Sequence, residues 1–176
     1  MYCRICQSKN INPIFNLGKQ PLANKYPKNE FEKKNEKLYN MDVFFCSSCT
    51  SCQLKVDIPR HVFFEDYYYL SSVNKELKFH FEQLANEIKN KNFVLDIGSN
   101  DGILLSPLKK KKVKCIGIDP SENVGEIANS KGLKTIISFF NEEACNEVIK
   151  YGGKPDCIIA SSIFTHLENL DEFIKN

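Results

Sequence analysis

Phe93-Val94-Leu95-Asp96-Ile97-Gly98-Ser99-Asn100-Asp101-Gly102 is the stretch on which the fold turns. A buried-strand run ends at a glycine, a short polar loop follows, and Ile103 to Lys110 then reads as a helix. Gly98 permits a sharp exit from the strand and a close backbone approach to a ligand, and Gly102 does the same at the helix entrance. Asn100 stands where dinucleotide-binding loops often carry another glycine, and Asn tolerates left-handed backbone better than most residues. Outward from this loop the pattern repeats. Lys114 to Ile118, Leu133 to Ile137 and Asp156 to Ala160 read as further strands, with helices expected over Asn123 to Lys131 and Glu142 to Tyr151. Strands alternating with helices predict an α/β fold with a parallel, Rossmann-like sheet of about four strands.

The second strand ends at Asp119, twenty-three positions after Asp96. A carboxylate at that place can accept from both ribose hydroxyls of a nucleoside. Plainer readings stand beside this one: Asp96 as a strand-end cap, Asp119 as a turn former before Pro120. A diphosphate needs glycines crowded against the helix N-terminus. Here the loop offers Ser99, Asn100 and Asp101, and the added carboxylate of Asp101 repels a diphosphate but can attract an ammonium. S-adenosylmethionine (SAM) therefore fits better than NAD.

The amino end carries different chemistry. Cys3-Arg4-Ile5-Cys6 and Cys46-Ser47-Ser48-Cys49 are matched Cys-x-x-Cys pairs. Four soft thiolates suit a tetrahedral zinc ion, and four protein ligands leave no open position, so the metal is structural. Cys52 extends the second pair, but the further Cys-Pro of a ferredoxin-type run is missing; it is read as a small apolar residue beside the site.

Three segments follow. Residues 1–60 read as the zinc-binding domain, with turns at Asn12-Pro13, Leu17-Gly18 and Tyr26-Pro27, a solvated loop from Lys28 to Lys37, a strand over Met41 to Phe45 and its return over Gln53 to Val56. With few large apolar residues, this part would draw roughly 10 kcal/mol of folding free energy from its metal. Residues 61–91 form an aromatic linker and a helix over Val73 to Lys89, with Ser72 as N-cap and Leu77, Phe81, Leu84 and Ile88 as its apolar stripe. Residues 92–176 hold the α/β part, in which Pro107 should kink the helix after the loop.

Composition narrows the function. The chain of 176 residues is 42% hydrophobic and 26% charged, ordinary for a soluble domain. A net charge of +2 argues against nucleic acid, and the Lys109 to Lys112 run reads as a solvated helix end. No apolar stretch is long enough to cross a bilayer, and the first residues show no apolar leader. Eight cysteines in such a chain suggest metal ligands and buried thiols in a reducing cytoplasm. Cys115 and Cys157 are expected to be buried and inert, Cys145 without a visible partner, and His61 and His80 at the surface.

Several strings occur together in one known order: the two cysteine pairs, Gln53-Leu54, Asp66-Tyr67-Tyr68-Tyr69-Leu70-Ser71, Asp96 to Gly102, Gly117-Ile118-Asp119-Pro120-Ser121 and Ile163-Phe164-Thr165-His166. In this the chain resembles the nucleotide-sugar C-methyltransferases over essentially its whole length. That resemblance implies an N-terminal zinc-binding domain, a SAM-dependent methyltransferase domain, and a nucleoside-diphosphate-linked keto-deoxysugar as substrate, often for polysaccharide biosynthesis. It implies that Gly98, Asn100, Gly102 and Asp119 hold SAM, that Asp96 shapes the loop, and that Phe139 and Phe140 lie by the adenine. It places Tyr67 and Tyr69 toward the sugar and His166 near the methyl donor or sugar, while Tyr68 packs the domain junction.

The resemblance also implies three more strands, a Glu-His motif supplying the general base and a C-terminal domain, all beyond Asn176. The expectation is a truncated chain, inactive alone, whose partners are the nucleotide sugar and a separate chain carrying the missing half. Two other functions remain open: a zinc-ribbon SAM methyltransferase acting on RNA or protein, and a non-catalytic zinc-binding module with a vestigial nucleotide fold.

Overall fold

A computed structural model describes residues 1–176 except 56, 57, 59, 65, 66, 68 and 168 and the side chains of residues 60 and 61. The expectations for Asp66, Tyr68 and the His61 side chain lie outside the described residues. The chain divides into two compact units, residues 1–68 with 168–170, and residues 69–167 with 171–176.

The first unit is built on a three-stranded antiparallel sheet of β1 (Ile11–Pro21), β2 (Leu38–Cys46) and β3 (Cys52–Leu54), in that spatial order. The turn dipeptides Asn12-Pro13 and Leu17-Gly18 do not break the chain; they lie inside β1. They are absorbed as two register irregularities, between Pro13 and Phe15 and between Asn16 and Lys19. Gly18 takes φ +77°, the left-handed conformation that a bulge requires. Its N–H donates to Asn16 Oδ1. Proline is tolerated because β1 is an edge strand. The expected solvated loop holds one short helix, α1 (Glu30–Lys34), which Asn29 caps by accepting from the Glu32 N–H at 2.9 Å. A further short helix, α2, covers Arg60–Phe64. Among the described residues of this unit the buried hydrophobics are Cys3, Ile11, Leu22, Cys46 and Ile58. So small a core is what a metal-nucleated unit predicts.

The second unit opens with α3 (Lys75–Glu87). Its N-cap is Asn74, whose side chain accepts from the Leu77 N–H at 2.9 Å. Ser72 is not the cap because its hydroxyl is bonded elsewhere. Strands β4 (Phe93–Ile97), β5 (Lys114–Asp119), β6 (Thr135–Ile137) and β7 (Cys157–Ile159) alternate with α4 (Leu105–Lys110), α5 (Glu122–Ser130) and α6 (Glu142–Gly152), and α7 (Leu170–Lys175) ends the chain. The strands pair in parallel in the order β6-β5-β4-β7. This is the α/β parallel sheet expected, with four strands.

β4 is central and buried along its full length. Its side chains alternate between two cores. Phe93, Leu95 and Ile97 join Ile116, Ile118, Ile136, Ala144 and Val148. Val94 joins Phe81, Ala85, Leu104 and Leu108, against which Leu77, Leu84 and Ile88 of the predicted stripe pack. Pro107 does not kink α4. The helix starts at Leu105, which puts Pro107 in the first turn, where an N–H needs no intrahelical partner. Cys115 and Cys157 are half-buried rather than fully buried, and Cys145 Sγ lies 3.7 Å from the Asn176 carbonyl oxygen. His80 is exposed, its ring edge-on to Phe81. Among the described residues no helix is long and apolar enough to cross a membrane.

Candidate functional site

The four predicted cysteines converge. The sulfurs of Cys3, Cys6, Cys46 and Cys49 all lie within 4.8 Å of one another. Cys3 and Cys49 are 3.5 Å apart and Cys6 and Cys46 3.6 Å. Sulfurs at the corners of a tetrahedron around zinc, with Zn–S of ~2.3 Å, would be about 3.8 Å apart. Each pair ends in the same turn. The Gln7 N–H donates to the Cys3 carbonyl and the Thr50 N–H to that of Cys46, with Gln7 and Thr50 at φ +58° and +60°. The Cys3 and Cys46 N–H groups donate in turn to the carbonyls of Ser8 and Ser51.

Gln53 completes this centre. Its Nε2 donates to Cys3 Sγ at 3.2 Å and to Ser51 Oγ at 3.1 Å, while its Oε1 accepts from the Arg4 N–H at 2.9 Å. Burial works against the Cys3 thiolate, yet hydrogen bonds from Ser51, from the Cys6 and Ile5 backbone and from Gln53 outweigh it and bring the thiol down to about 5. At Cys6 the Ser8 N–H pulls downward, but desolvation and the three neighbouring sulfurs push the thiol up to about 12. Four crowded thiols of which one resists ionisation are the donor set that a divalent cation relieves, so the residues fit zinc. Cys52 is exposed in β3 and outside the cluster. As expected it is not a ligand, though its side chain is exposed. Sequence reading missed Gln53 and Ser51 as partners of the sulfurs. The available signal was the serine two places after each pair, Ser8 and Ser51.

The loop after β4 lies at the carboxyl edge of the parallel sheet, where ligands of open α/β folds bind. Gly98, Asn100 and Gly102 all have positive φ, at +75°, +48° and +82°. A Cβ on Gly98 would meet Ile163 Cδ1 at 2.2 Å. One on Gly117 of β5 would meet Ser99 Oγ at 2.3 Å, so the loop rests on a bare β5 backbone. The Asn100 N–H donates to Asp119 Oδ2 at 2.8 Å and the Ser121 N–H to Asp119 Oδ1 at 2.9 Å. Each oxygen keeps a lone pair, enough for two hydroxyl donors. One buried hydroxyl at this edge, Ser99 Oγ, has no hydrogen-bond partner among the described residues. Such an orphan marks a polar site that something else completes. These features fit a nucleoside.

Electrostatics set Asp96 and Asp119 apart from ordinary carboxylates. Asp96 is 3% exposed, and burial first, then the Asp119 charge, push its carboxyl up to about 8. Burial also raises Asp119, against the pull of the Ser121 and Asn100 N–H groups. Asp101 is turned into the protein. It is 1% exposed and accepts from the Ser72 N–H at 3.1 Å, from the Ser72 hydroxyl and from Lys131 Nζ at 3.2 Å. The ammonium it attracts is that of Lys131.

The other predicted residues fall as follows. Phe139 and Phe140 follow β6 at the same edge; the Phe140 ring lies 4.9 Å from that of Phe173. His166 is exposed in a 3-10 turn after β7, and its N–H donates to the carbonyl of Ile163, whose side chain lies against Gly98. Tyr69 is 40% exposed, and its carbonyl accepts from Asn100 Nδ2 at 3.0 Å. Tyr67 belongs to the first unit, half-buried, its ring 6.3 Å from that of Phe64.

Comparison with known proteins follows the same division. Residues 3–64 match the family described as "Putative zinc binding domain", and residues 69–176 match "Methyltransferase domain". The C-methyltransferase NovU of Streptomyces niveus is 25% identical over 98% of this chain and 43% of its own length. A ubiquinone biosynthesis O-methyltransferase of Pelagibacter ubique is 32% identical over 47% of this chain and 34% of its own. The chain thus spans less than half the length of either relative. Among solved structures, the plantazolicin methyltransferase BpumL in complex with SAH is 26% identical over 56% of this chain and 38% of its own, with a TM-score of 0.40. Residues 69–176 make this chain a member of the methyltransferase domain family, a SAM-binding fold preceded in sequence by a zinc-binding unit.

Proposed function

We propose that the chain binds SAM at the Asp96–Gly102 loop and serves methylation of a carbon in a nucleoside-diphosphate-linked keto-deoxysugar. The observation that carries the first half is the Asn100–Asp119 hydrogen bond, which brings the glycine loop of β4 and the acid of β5 to one edge. Asp119 takes the ribose hydroxyls, Gly98 and Gly102 admit the donor to the backbone, and Phe139 and Phe140 flank the adenine. Asn100 helps hold the donor, and Asp96 shapes the loop. SAM supplies an electrophilic methyl group on its sulfonium.

Methylation of carbon rests on extent, and the sugar on the tyrosine and histidine strings that resemble the nucleotide-sugar C-methyltransferases. The match to NovU runs through both the cysteine unit and the methyltransferase domain, whereas the O-methyltransferase match covers 47% of this chain. A carbon beside a ketone releases its proton because the charge delocalises onto the carbonyl oxygen, and hydrogen-bond donors stabilise that enolate. The phenol of Tyr69 is suited to donate to the enolate or a sugar hydroxyl. His166 is the candidate for moving a proton near the donor. Zinc on Cys3, Cys6, Cys46 and Cys49 has a structural role.

Calorimetry with SAH tests the first half; absence of heat leaves a zinc-binding module with a vestigial fold. Thermal protection in the presence of SAH tests the second. A nucleoside-diphosphate keto-sugar should raise the melting temperature and RNA should not. The reverse result moves the substrate to another class.

A further inference from the structure

The polar side chains of the donor loop point to a second task. Residues 69 and 70 are irregular backbone leading into a 3-10 turn, Ser71–Val73. Four described hydrogen bonds to the loop hold residues 69–72. Asn100 Oδ1 accepts from the Ser71 N–H at 2.9 Å, and Asn100 Nδ2 donates to the Tyr69 carbonyl at 3.0 Å. Asp101 accepts from the Ser72 N–H at 3.1 Å and from the Ser72 hydroxyl. Lys131, at the C-cap of α5, neutralises Asp101 from the other side. These carboxylate and amide groups are buried, so each lost bond leaves a polar atom unpaired. Asn100 also gives its own N–H to Asp119 and sits at φ +48°. One residue therefore joins the acid that takes the ribose to the backbone that carries Tyr69.

We propose that Asn100 and Asp101 are positioning residues that couple occupancy of the methyl-donor loop to the placement of Tyr69. The inference rests on the methyl-donor reading. A ligand on Asp119 fixes the Asn100 peptide, and its side chain then fixes residues 69–71. By linkage, ordering of residues 69–72 favours the ligand to the same degree. Occupancy by the donor thereby favours the placement of the phenol that meets the second substrate.

Amide exchange followed by NMR, with and without saturating SAH, tests this. In the parent chain SAH should slow exchange of the Ser71 and Ser72 amides about tenfold, a coupling of usual size. Ser72→Ala removes one clamp bond from outside the loop. It should halve that slowing or more while SAH affinity stays within about threefold. Asn100→Asp keeps a side chain tolerant of positive φ but replaces the donor to the Tyr69 carbonyl with an acceptor; exchange at Ser71 should rise and its response to SAH vanish. SAH binding with unmoved Ser71 and Ser72 amides overturns the coupling. So does an Asn100→Asp protein whose amides still respond as the parent's do. Absence of SAH binding to the parent retires the donor reading and the coupling together, while ligand-free protection at Ser71 and Ser72, lost in Asn100→Asp, would leave a clamp without a switch.

Discussion

The Asn100 backbone N–H donates to the Asp119 carboxylate at 2.8 Å, which ties the glycine loop after β4 to the carboxyl end of β5. The second carboxylate oxygen is held by the Ser121 N–H, so the carboxylate plane is fixed before any ligand arrives. Asp119→Asn should weaken SAH binding about tenfold to a hundredfold, the size of a charged hydrogen bond pair turned neutral. Isothermal calorimetry measures it. An unchanged dissociation constant would remove Asp119 from the ribose.

Gly98→Ala should destabilise the second unit by about 1–3 kcal/mol, because the residue is held at positive φ and its Cβ would need Ile163 to move. Ile163 can yield in part, since the 2.2 Å contact is with the end of a flexible side chain. The backbone cost remains. Urea denaturation reads the loss, and a variant as stable as the parent would show that the loop relaxes freely.

Strands β4 and β5 were legible because a central parallel strand is buried on both faces and so reads as a continuous apolar run, and the edge strands β6 and β7 because each is a short β-branched run between helical segments. Their boundaries shifted by one or two residues where loops close on them. β1 was not legible, since Asn12-Pro13 and Leu17-Gly18 are local turn signals that pairing with β2, distant in sequence, overrides through two bulges. Ser72 reads as an N-cap by sequence, but Asp101, far along the chain, claims its hydroxyl and leaves capping to Asn74. In the metal centre the sulfurs were legible from spacing. Gln53 was not, because a donor to a sulfur carries no periodicity.

Gln53→Ala should lower zinc affinity about tenfold to a hundredfold, as loss of a group that hydrogen-bonds and orients a metal ligand does. Competition with a chromogenic chelator measures this. Cys46→Ser goes further. It removes a fully buried sulfur from a unit with few other buried apolar side chains, so residues 1–55 should lose their protected amides while β4 keeps its own. Retention of β1–β2 amide protection after chelation would mean that the sheet folds without metal.

Asp96 gives the pH prediction. Its carboxyl is pushed from the ordinary 3.8 up to about 8, by burial and then by the Asp119 charge. A raised carboxyl keeps its proton in the fold at pH values where the unfolded chain has released it. Its contribution to stability is therefore fully present below about pH 4 and is lost as pH rises toward about 8. Asp96→Asn cannot ionise and lacks this slope. Between pH 5 and pH 7 the variant should gain on the parent by roughly 1.4 kcal/mol per pH unit, the free energy of one proton's differential binding. Urea midpoints of both proteins across that range test it. A gap that does not change with pH would mean that Asp96 is already ionised in the folded protein, with its charge met by a partner at the sheet edge.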